Sequence, residues 1–290
     1  MTLVVNEPAR TAVRTAERAY HYAIGRAAGL GSFFLFSGKA IWHSVVDVGL
    51  RLRFRKTVMV HISDIVAGAG AFVVGGGMVF VVAAMALAVG ATVGVQAFTG
   101  LSQIGAESFV GLAGSYANVR EITPLIAAIA LSAQVGSSFT AEIGAMRISD
   151  EIDALEVMSV PSMIYLVSTR LVGMVVALIP LYLVALFTSF LGTRLVTTSI
   201  YGMSPGLYDY YFHLYLPPID ILYSLIKVTV FAIEVSLIHS YFGYYASGGP
   251  AGVGRAVGIA IRSTIIVVVL TNLLLSFLFW GGAPTVSLTG

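Results

Sequence analysis

"IVAGAGAFVVGGGMVFVVAAMALAVGATVGV", residues 65 to 95, contains no Asp, Glu, Lys, Arg or His. A helix crossing a hydrocarbon core of about 30 Å needs roughly 20 apolar residues, because backbone groups left unpaired in lipid are costly. This stretch exceeds that length and reads as a membrane span that tilts or protrudes. Four more stretches qualify, at residues 122–141, 171–193, 219–245 and 263–281. The third span holds Pro180, a kink that neighbouring helices absorb. The fourth encloses Lys227 and Glu234, and the fifth ends at Trp280, an aromatic interface anchor. The expected fold is therefore all-α and polytopic, with five transmembrane helices.

Composition agrees. Hydrophobic residues make up 58% of the chain and charged ones only 10%, against about a quarter charged in soluble domains. The net charge of +2 is too small to argue for a nucleic-acid partner. Without cysteine there is no disulfide framework, thiolate nucleophile or thiolate metal site. His21, His43, His61, His213 and His239 are scattered singly and read as structural or interfacial, with His61 and Asp64 spaced to pair beside the first span. A phosphate-cradling G-x-x-x-x-G-K-[ST] loop is missing, and "SGKA" at 37–40 lacks both its glycine spacing and its hydroxyl. No catalytic residue, metal or cofactor is expected in this chain.

The first thirty residues carry Arg10, Arg14, Arg18 and Arg26 without the apolar core of a signal peptide, so internal helices are expected to drive insertion. Arg10, Arg14 and Arg18 recur every four residues, which suits a basic helix on an anionic membrane surface. Residues 27–42, interrupted by Gly29, Gly31, Gly38 and Lys39, read as an interfacial or re-entrant helix. Residues 1–60 thus form an N-terminal interfacial section and 61–290 the membrane domain. The Gly-rich stretch 96–120 reads as a loop with a short helix. Gly68, Gly70, Gly75, Gly76 and Gly77 would let another helix approach the first span, and Gly254 with Gly258 form a small-residue pair near the fifth. With the N-terminus inside, thirteen Lys and Arg residues fall in inner segments and only Arg120 and Arg194 in outer ones. That asymmetry places the chain in a cell's inner membrane with a cytoplasmic N-terminus and an exoplasmic C-terminus.

One inner segment breaks the pattern of basic loops. "RISDEIDALEVMSV", residues 147–160, packs Asp150, Glu151, Asp153 and Glu156 into seven positions of a chain with 14 acids in all. As a helix from Asp150 with Ser149 as N-cap, it sets Ile148, Ile152 and Leu155 on one stripe and acids opposite. It is either a solvated helix that spaces two spans or a handle for a basic partner. Acids beside an anionic leaflet are mildly repelled, which argues for the handle.

"AEIGAMRISDEIDALEVM" (141–158), "YLVSTRLV" (165–172) and "SGGPAGVGRAV" (247–257) together resemble the MlaE/YrbE family of permeases, over about residues 60–281. These are membrane subunits of ABC-type lipid transporters that work with MCE-domain proteins. The resemblance implies that Asp150, Glu151, Asp153, Ala154 and Glu156 form a coupling helix docking on a cytoplasmic ABC ATPase, which binds the ATP and Mg. Asp150 stands where the family pattern has Glu, "SVPS" at 159–162 replaces a common Gly-Val-Asp-Pro, and Ser168-Thr169 precedes Arg170 where Pro is common. Such departures resemble the second permease of actinobacterial Mce systems and imply a heterodimer with another YrbE-type chain.

Glu142, at the inner end of span two, is placed to clasp Arg170 at the start of span three and fix the base of the coupling helix. Lys227 and Glu234 must face protein or water, since a charge at bilayer depth costs at least ~2.5 kcal/mol. Either they pair with another span, line a lipid path or snorkel. The leading expectation is a non-enzymatic permease subunit moving a fatty acid or related acyl lipid. The alternatives are an ion-driven secondary transporter using Lys227 and Glu234, or a membrane scaffold without transport activity.

Overall fold

The computed structural model describes residues 29–68 and 77–281. The basic segment with Arg10, Arg14, Arg18 and Arg26 lies outside them, as do Gly70, Gly75 and Gly76. Among the described residues the structure is helical, without strands. Helix α1 covers residues 29–43 and runs on through a π-helical turn, Ser44–Leu50. Then come α2 (Arg55–Val66), α3 (Gly77–Ser102), α4 (Glu107–Ile148), α5 (Glu151–Val157), α6 (Met163–Ile200), α7 (Pro205–Leu214), α8 (Pro218–Tyr244) and α9 (Gly249–Trp280). Helices α3, α4, α6, α8 and α9 are long and apolar enough to cross a bilayer. The protein is an all-α, multi-pass membrane protein.

Two expected boundaries are corrected. Ile65 belongs to α2, which ends at Val66, so the first span is Gly77–Ser102 and extends past residue 95. Residues 96–120 are largely helical: α3 continues to Ser102 and α4 begins at Glu107. The glycines that suggest a loop here serve tight packing. A Cβ on Gly111 would lie 2.5 Å from the Tyr208 carbonyl oxygen, and one on Gly114 would lie 2.9 Å from Thr193 Cγ2. Likewise Gly31, Gly38 and Lys39 do not break α1, whose Phe36 and Ala40 are buried against the rest of the bundle.

Helices α4, α6 and α8 are about half buried and form the centre, while α9 buries little of its surface. The closest backbone approach joins α3 to α6. Side chains on Gly90 and Gly192 would sit 2.1 Å from the Ser189 carbonyl oxygen and 2.3 Å from that of Leu87. Thr193 Oγ1 donates to the Gly90 carbonyl at 2.8 Å in the space this leaves. Small residues and an interhelical hydrogen bond hold helices together where lipid removes the hydrophobic incentive. Gly68 and Gly77 take positive φ and meet only nearby backbone, whereas Gly254 and Gly258 face nothing within 4 Å. Among the described glycines of the first span, Gly90 and Gly94 make the close contact with α6, and Gly77 meets the Ala67 carbonyl at the end of α2. Pro180 sits inside α6 without ending it.

Helix α4 carries π turns at Asn118–Ile122 and Ser132–Gly136, and α6 carries them at Met163–Ser168 and Val196–Ile200. A π turn widens a helix locally and often marks a functional position. Polar side chains fasten both ends of the bundle. At one end α5 hangs between α4 and α6. At the other, Arg120 pairs with Asp220 at 2.7 Å and Trp280 Nε1 donates to the same carboxylate at 2.8 Å, drawing together α4, α8 and α9.

Candidate functional site: an acidic helix and its moorings

Helix α5 is short and bracketed by strained residues. Asp150 and Ser159 both adopt left-handed backbone, with φ of 58° and 60°. These two reversals let seven residues of helix stand between long helices that run in opposite directions. Asp150 occupies the N-cap position and makes no side-chain cap bond. Ser149 is not the cap: its hydroxyl donates to the Ala145 carbonyl and, at 3.0 Å, to Glu151 Oε1. Once the chain turns at Asp150, the backbone N–H groups of α5 no longer face Ser149.

A single apolar side chain anchors the helix. Ile152 is 1% exposed and belongs to the buried cluster of Phe36, Ile143, Leu166, Leu171 and Leu237, to which α1, α4, α6 and α8 contribute, so α5 is rooted in the core of the bundle. Leu155 packs at the edge of that cluster. Ile148, expected on the same stripe, ends α4 instead and is exposed, because the turn at Asp150 breaks the helical register.

Asp150, Glu151, Asp153, Ala154 and Glu156 all point outward. Arg147 donates to Asp153 Oδ1 at 2.8 Å, tying α5 to the end of α4. Ser162 donates to Glu156 at 2.7 Å and contacts the Tyr244 hydroxyl at 2.9 Å, which ties it to α8. Sequence reasoning missed the next feature: Val157 and Met158 are 86% and 64% exposed at the tip of α5. Acids flanking a small apolar tip make a surface suited to a groove that is basic at its rim and apolar at its floor. Both residues lie in the quoted acidic segment, but only the left-handed turn at Ser159 turns the chain so that they project.

Beneath α5, Arg170 Nη2 donates to Glu142 Oε2 at 2.8 Å. The guanidinium also reaches the Leu166 carbonyl at 3.2 Å and lies 5.4 Å from the Phe139 ring centre. Ser138 donates to the other Glu142 oxygen at 2.6 Å. The end of α4 and the start of α6 are therefore clasped by a charge-assisted bond, with Arg170 buried and Glu142 half exposed.

Lys227 and Glu234 both face α9. Lys227, fully buried, donates to the Arg120 carbonyl and, at 2.8 Å, to Ser276 Oγ, with Glu121 at 3.5 Å. Glu121 also accepts from Asn272 at 2.7 Å and from Ser276. Glu234 accepts from Thr271 Oγ1 at 2.6 Å. The two residues do not contact each other: each is bonded to a neighbouring helix, Glu234 to α9 and Lys227 to both α4 and α9.

His239 is fully buried, and its ring nitrogens meet Ser132 Oγ at 3.0 Å and Thr140 Oγ1 at 2.8 Å. Gly136, in the π turn of α4, leaves room for the ring: a Cβ there would lie 2.5 Å from His239 Cδ2. His61 sits near Phe139 and Gly173 and makes no ion pair with Asp64. Among the described residues no cluster of His, Asp or Glu is arranged to hold a metal ion.

Comparison with known proteins places this arrangement. The profile of permease MlaE matches residues 68–278. A probable ABC transporter permease protein of Rickettsia bellii is 33% identical over 191 residues, covering 66% of this chain and 74% of that protein. A probable ABC transporter permease of Synechocystis is 28% identical over 184 residues, 63% of this chain and 70% of its own length. Arabidopsis thaliana has a similar protein named TRIGALACTOSYLDIACYLGLYCEROL 1, chloroplastic, 29% identical over 195 residues, 67% of this chain and 56% of that one. A match across the spans α3 to α9, the acidic helix included, leaves one assignment: this chain belongs to the MlaE permease family.

Proposed function

We propose that this permease subunit moves an acyl lipid, such as a fatty acid, using ATP hydrolysed by a separate cytoplasmic ABC ATPase that grips α5. MCE-domain proteins and a second, unlike permease chain complete the assembly. The observation that carries this reading is the build of α5: Ile152 buried in a cluster to which four helices contribute, and a projecting face of acids around Val157 and Met158. A helix that only spaced two spans would need neither the root nor the apolar tip. The name of the Arabidopsis relative contains a glycerolipid, which supports a lipid cargo. Gly254 and Gly258, open to the outside of this chain, suit close packing by a helix of the second permease.

In this reading closure of the ATPase pushes α5. Ile152 and the Glu142–Arg170 clasp pass the motion into α4 and α6, whose π turns are the places where those helices deform with least loss of hydrogen bonding. Lys227 and Glu234 act as helix pairing, holding α9 against α8, since each is already bonded to a neighbouring helix. That use does not suit an ion relay. Orientation follows the positive residues, with α5 in the cytoplasm.

The test is a double charge reversal, Glu151→Lys with Asp153→Lys, in the complex purified from native membranes. Retention of the ATPase on the tagged permease should fall at least about tenfold, with lipid uptake lost and membrane insertion intact. If the ATPase and uptake both survive, the docking assignment is wrong.

A further inference from the structure

At the end of the bundle opposite α5 lies a cleft of about 330 Å³ between the last turns of α6 and the folded-back helix α7. Phe187, Phe190, Leu191 and Phe212 make its apolar wall, and Arg194, Asp209 and His213 make its rim. Ring contacts build the wall: Phe190 and Phe212 meet edge to face at 4.8 Å, and Phe212 stacks on buried Tyr208 at 5.9 Å. The rim is fastened by Arg194, which bonds both Asp209 oxygens, at 2.8 and 2.9 Å.

The cleft opens sideways. Leu183, Phe187 and Leu191, one turn apart on α6, are all exposed, so they face where lipid stands. From Phe187 to Arg194 the helix rises about 10 Å, so the wall reaches down from the interface into the hydrocarbon. Exposed Tyr210 beside the rim fits the aromatic belt at that depth.

The rim also has unspent donors. Asp209 occupies one edge of the guanidinium, through Nε and Nη2, and leaves Nη1 for another acceptor. His213 Nδ1 donates to the Asp209 carbonyl oxygen at 2.7 Å, since a carbonyl only accepts, which leaves Nε2 of the neutral ring an acceptor, so the donors open to a ligand at this rim are those of Arg194. An apolar slot about 10 Å long, ending in cationic N–H groups at interface depth, matches an amphiphile with one chain and a hydrogen-bond-accepting head.

We infer that this cleft is a lateral binding site for an acyl lipid with a carboxylate or phosphate headgroup, chain against Phe187 and Phe212, head at Arg194. The inference extends the proposed lipid transport to a specific surface, and it is tested by binding alone.

The full chain is reconstituted in phosphatidylcholine nanodiscs and exposed to a diazirine-bearing palmitic acid or a diazirine-bearing phosphatidylglycerol. Labelling is mapped by peptide and compared with Leu273 and Leu274 on α9, which are 69% and 65% exposed and have no rim. Peptides holding residues 187–191 and 208–213 should label about tenfold above that reference. Leu191→Trp, which fills the slot from the lipid side, should return them to the reference level while thermal stability stays unchanged. Labelling by the fatty acid alone identifies a carboxylate site; labelling by the phospholipid alone identifies a phosphate site, and either outcome supports the cleft. Labelling equal to that at Leu273 and Leu274, or unchanged by Leu191→Trp, overturns it. Because no ATPase is present, a negative result here leaves the role of α5 untouched, and loss of ATPase docking leaves this site untouched.

Discussion

At the scale of single residues, backbone contact rather than side-chain filling sets the tolerance of the bundle. A methyl group on Gly192 would meet the Leu87 carbonyl at 2.3 Å, and neither backbone can yield without moving a helix. Gly192→Ala is expected to cost about 1–3 kcal/mol, the range for overpacking. Gly254→Ala, with nothing within 4 Å inside this chain, is expected to be neutral in the isolated permease. Thermal unfolding of the two variants in the same detergent checks the contrast. Close packing through glycine was legible, but the place of Gly90 and Gly192 in it was not, since the sequence does not say which face of the first span meets α6.

The Glu142–Arg170 clasp obeys a second rule. Removing one partner of a pair leaves the other charge buried, and here the buried partner is Arg170. Glu142→Gln leaves the Arg170 guanidinium buried without a counter-charge, though the Gln oxygen can still accept its hydrogen bond, and should cost about 2–3 kcal/mol. Arg170→Ala should cost more, because the hydrogen bond to the Leu166 carbonyl and the packing on Phe139 go with it. A reversed order in melting temperature would show that Glu142, not Arg170, supports the clasp. The pairing was open to reasoning from sequence because each residue sits at the same end of consecutive spans.

At the scale of elements, α5 depends on its root and its reversals. Ile152→Ala removes a fully buried branched side chain from a shared cluster and should cost about 2–4 kcal/mol. If α5 is the docking element, this variant also releases the ATPase although no surface acid has changed. Asp150→Val forces a β-branched residue into left-handed backbone and should cost about 1–2 kcal/mol, whereas Asp150→Gly should retain stability. Co-purification together with thermal unfolding separates the two effects. The acidic helix was legible from its composition, but its cap was not: Ser149 satisfies every sequence rule for capping, and the reversal at Asp150 overrides it.

Helix α7 packs through buried Tyr208 and is tied to α6 by the Arg194–Asp209 pair. Arg194's hydrogen bonds hold the Asp209 carboxyl below its ordinary range, against the opposing push of burial. A carboxylate with a depressed pKa contributes stability that is present above its unfolded value and lost as pH falls through the folded one. Docking of α7 is therefore expected to be constant near neutrality and to loosen below the usual carboxylate range. Proteolysis of the 201–204 turn as pH is lowered reads this directly, and Asp209→Asn should abolish the dependence.

At the scale of the whole molecule the decisive quantity is orientation. The chain has no cysteine, so single substitutions report cleanly. Asp153→Cys on α5 is expected to react with a membrane-impermeant thiol reagent only after the cells are opened. Tyr210→Cys on α7 is expected to react in intact cells. The opposite pattern would invert the protein and remove α5 from the reach of any cytoplasmic motor. If a second permease chain packs on this one as proposed, helix α9, with little of its surface buried, is the element whose exposure should change most.

The sequence by itself determined that the chain is helical and crosses a bilayer five times, because lipid makes the same demand of every segment: enough apolar length and internally paired backbone. It also marked the acidic helix, whose charge is conspicuous against so apolar a chain. Tertiary structure alone decided where the buried polar groups go. Ser132 and Thr140 flank the His239 ring, and Lys227 lies between Glu121 and Ser276, across separations of 49 to 107 residues. Hydropathy is a local property and can be summed along the chain. A buried hydrogen bond depends on which helix faces meet, and that is fixed only when glycines, π turns and left-handed reversals have set the bundle.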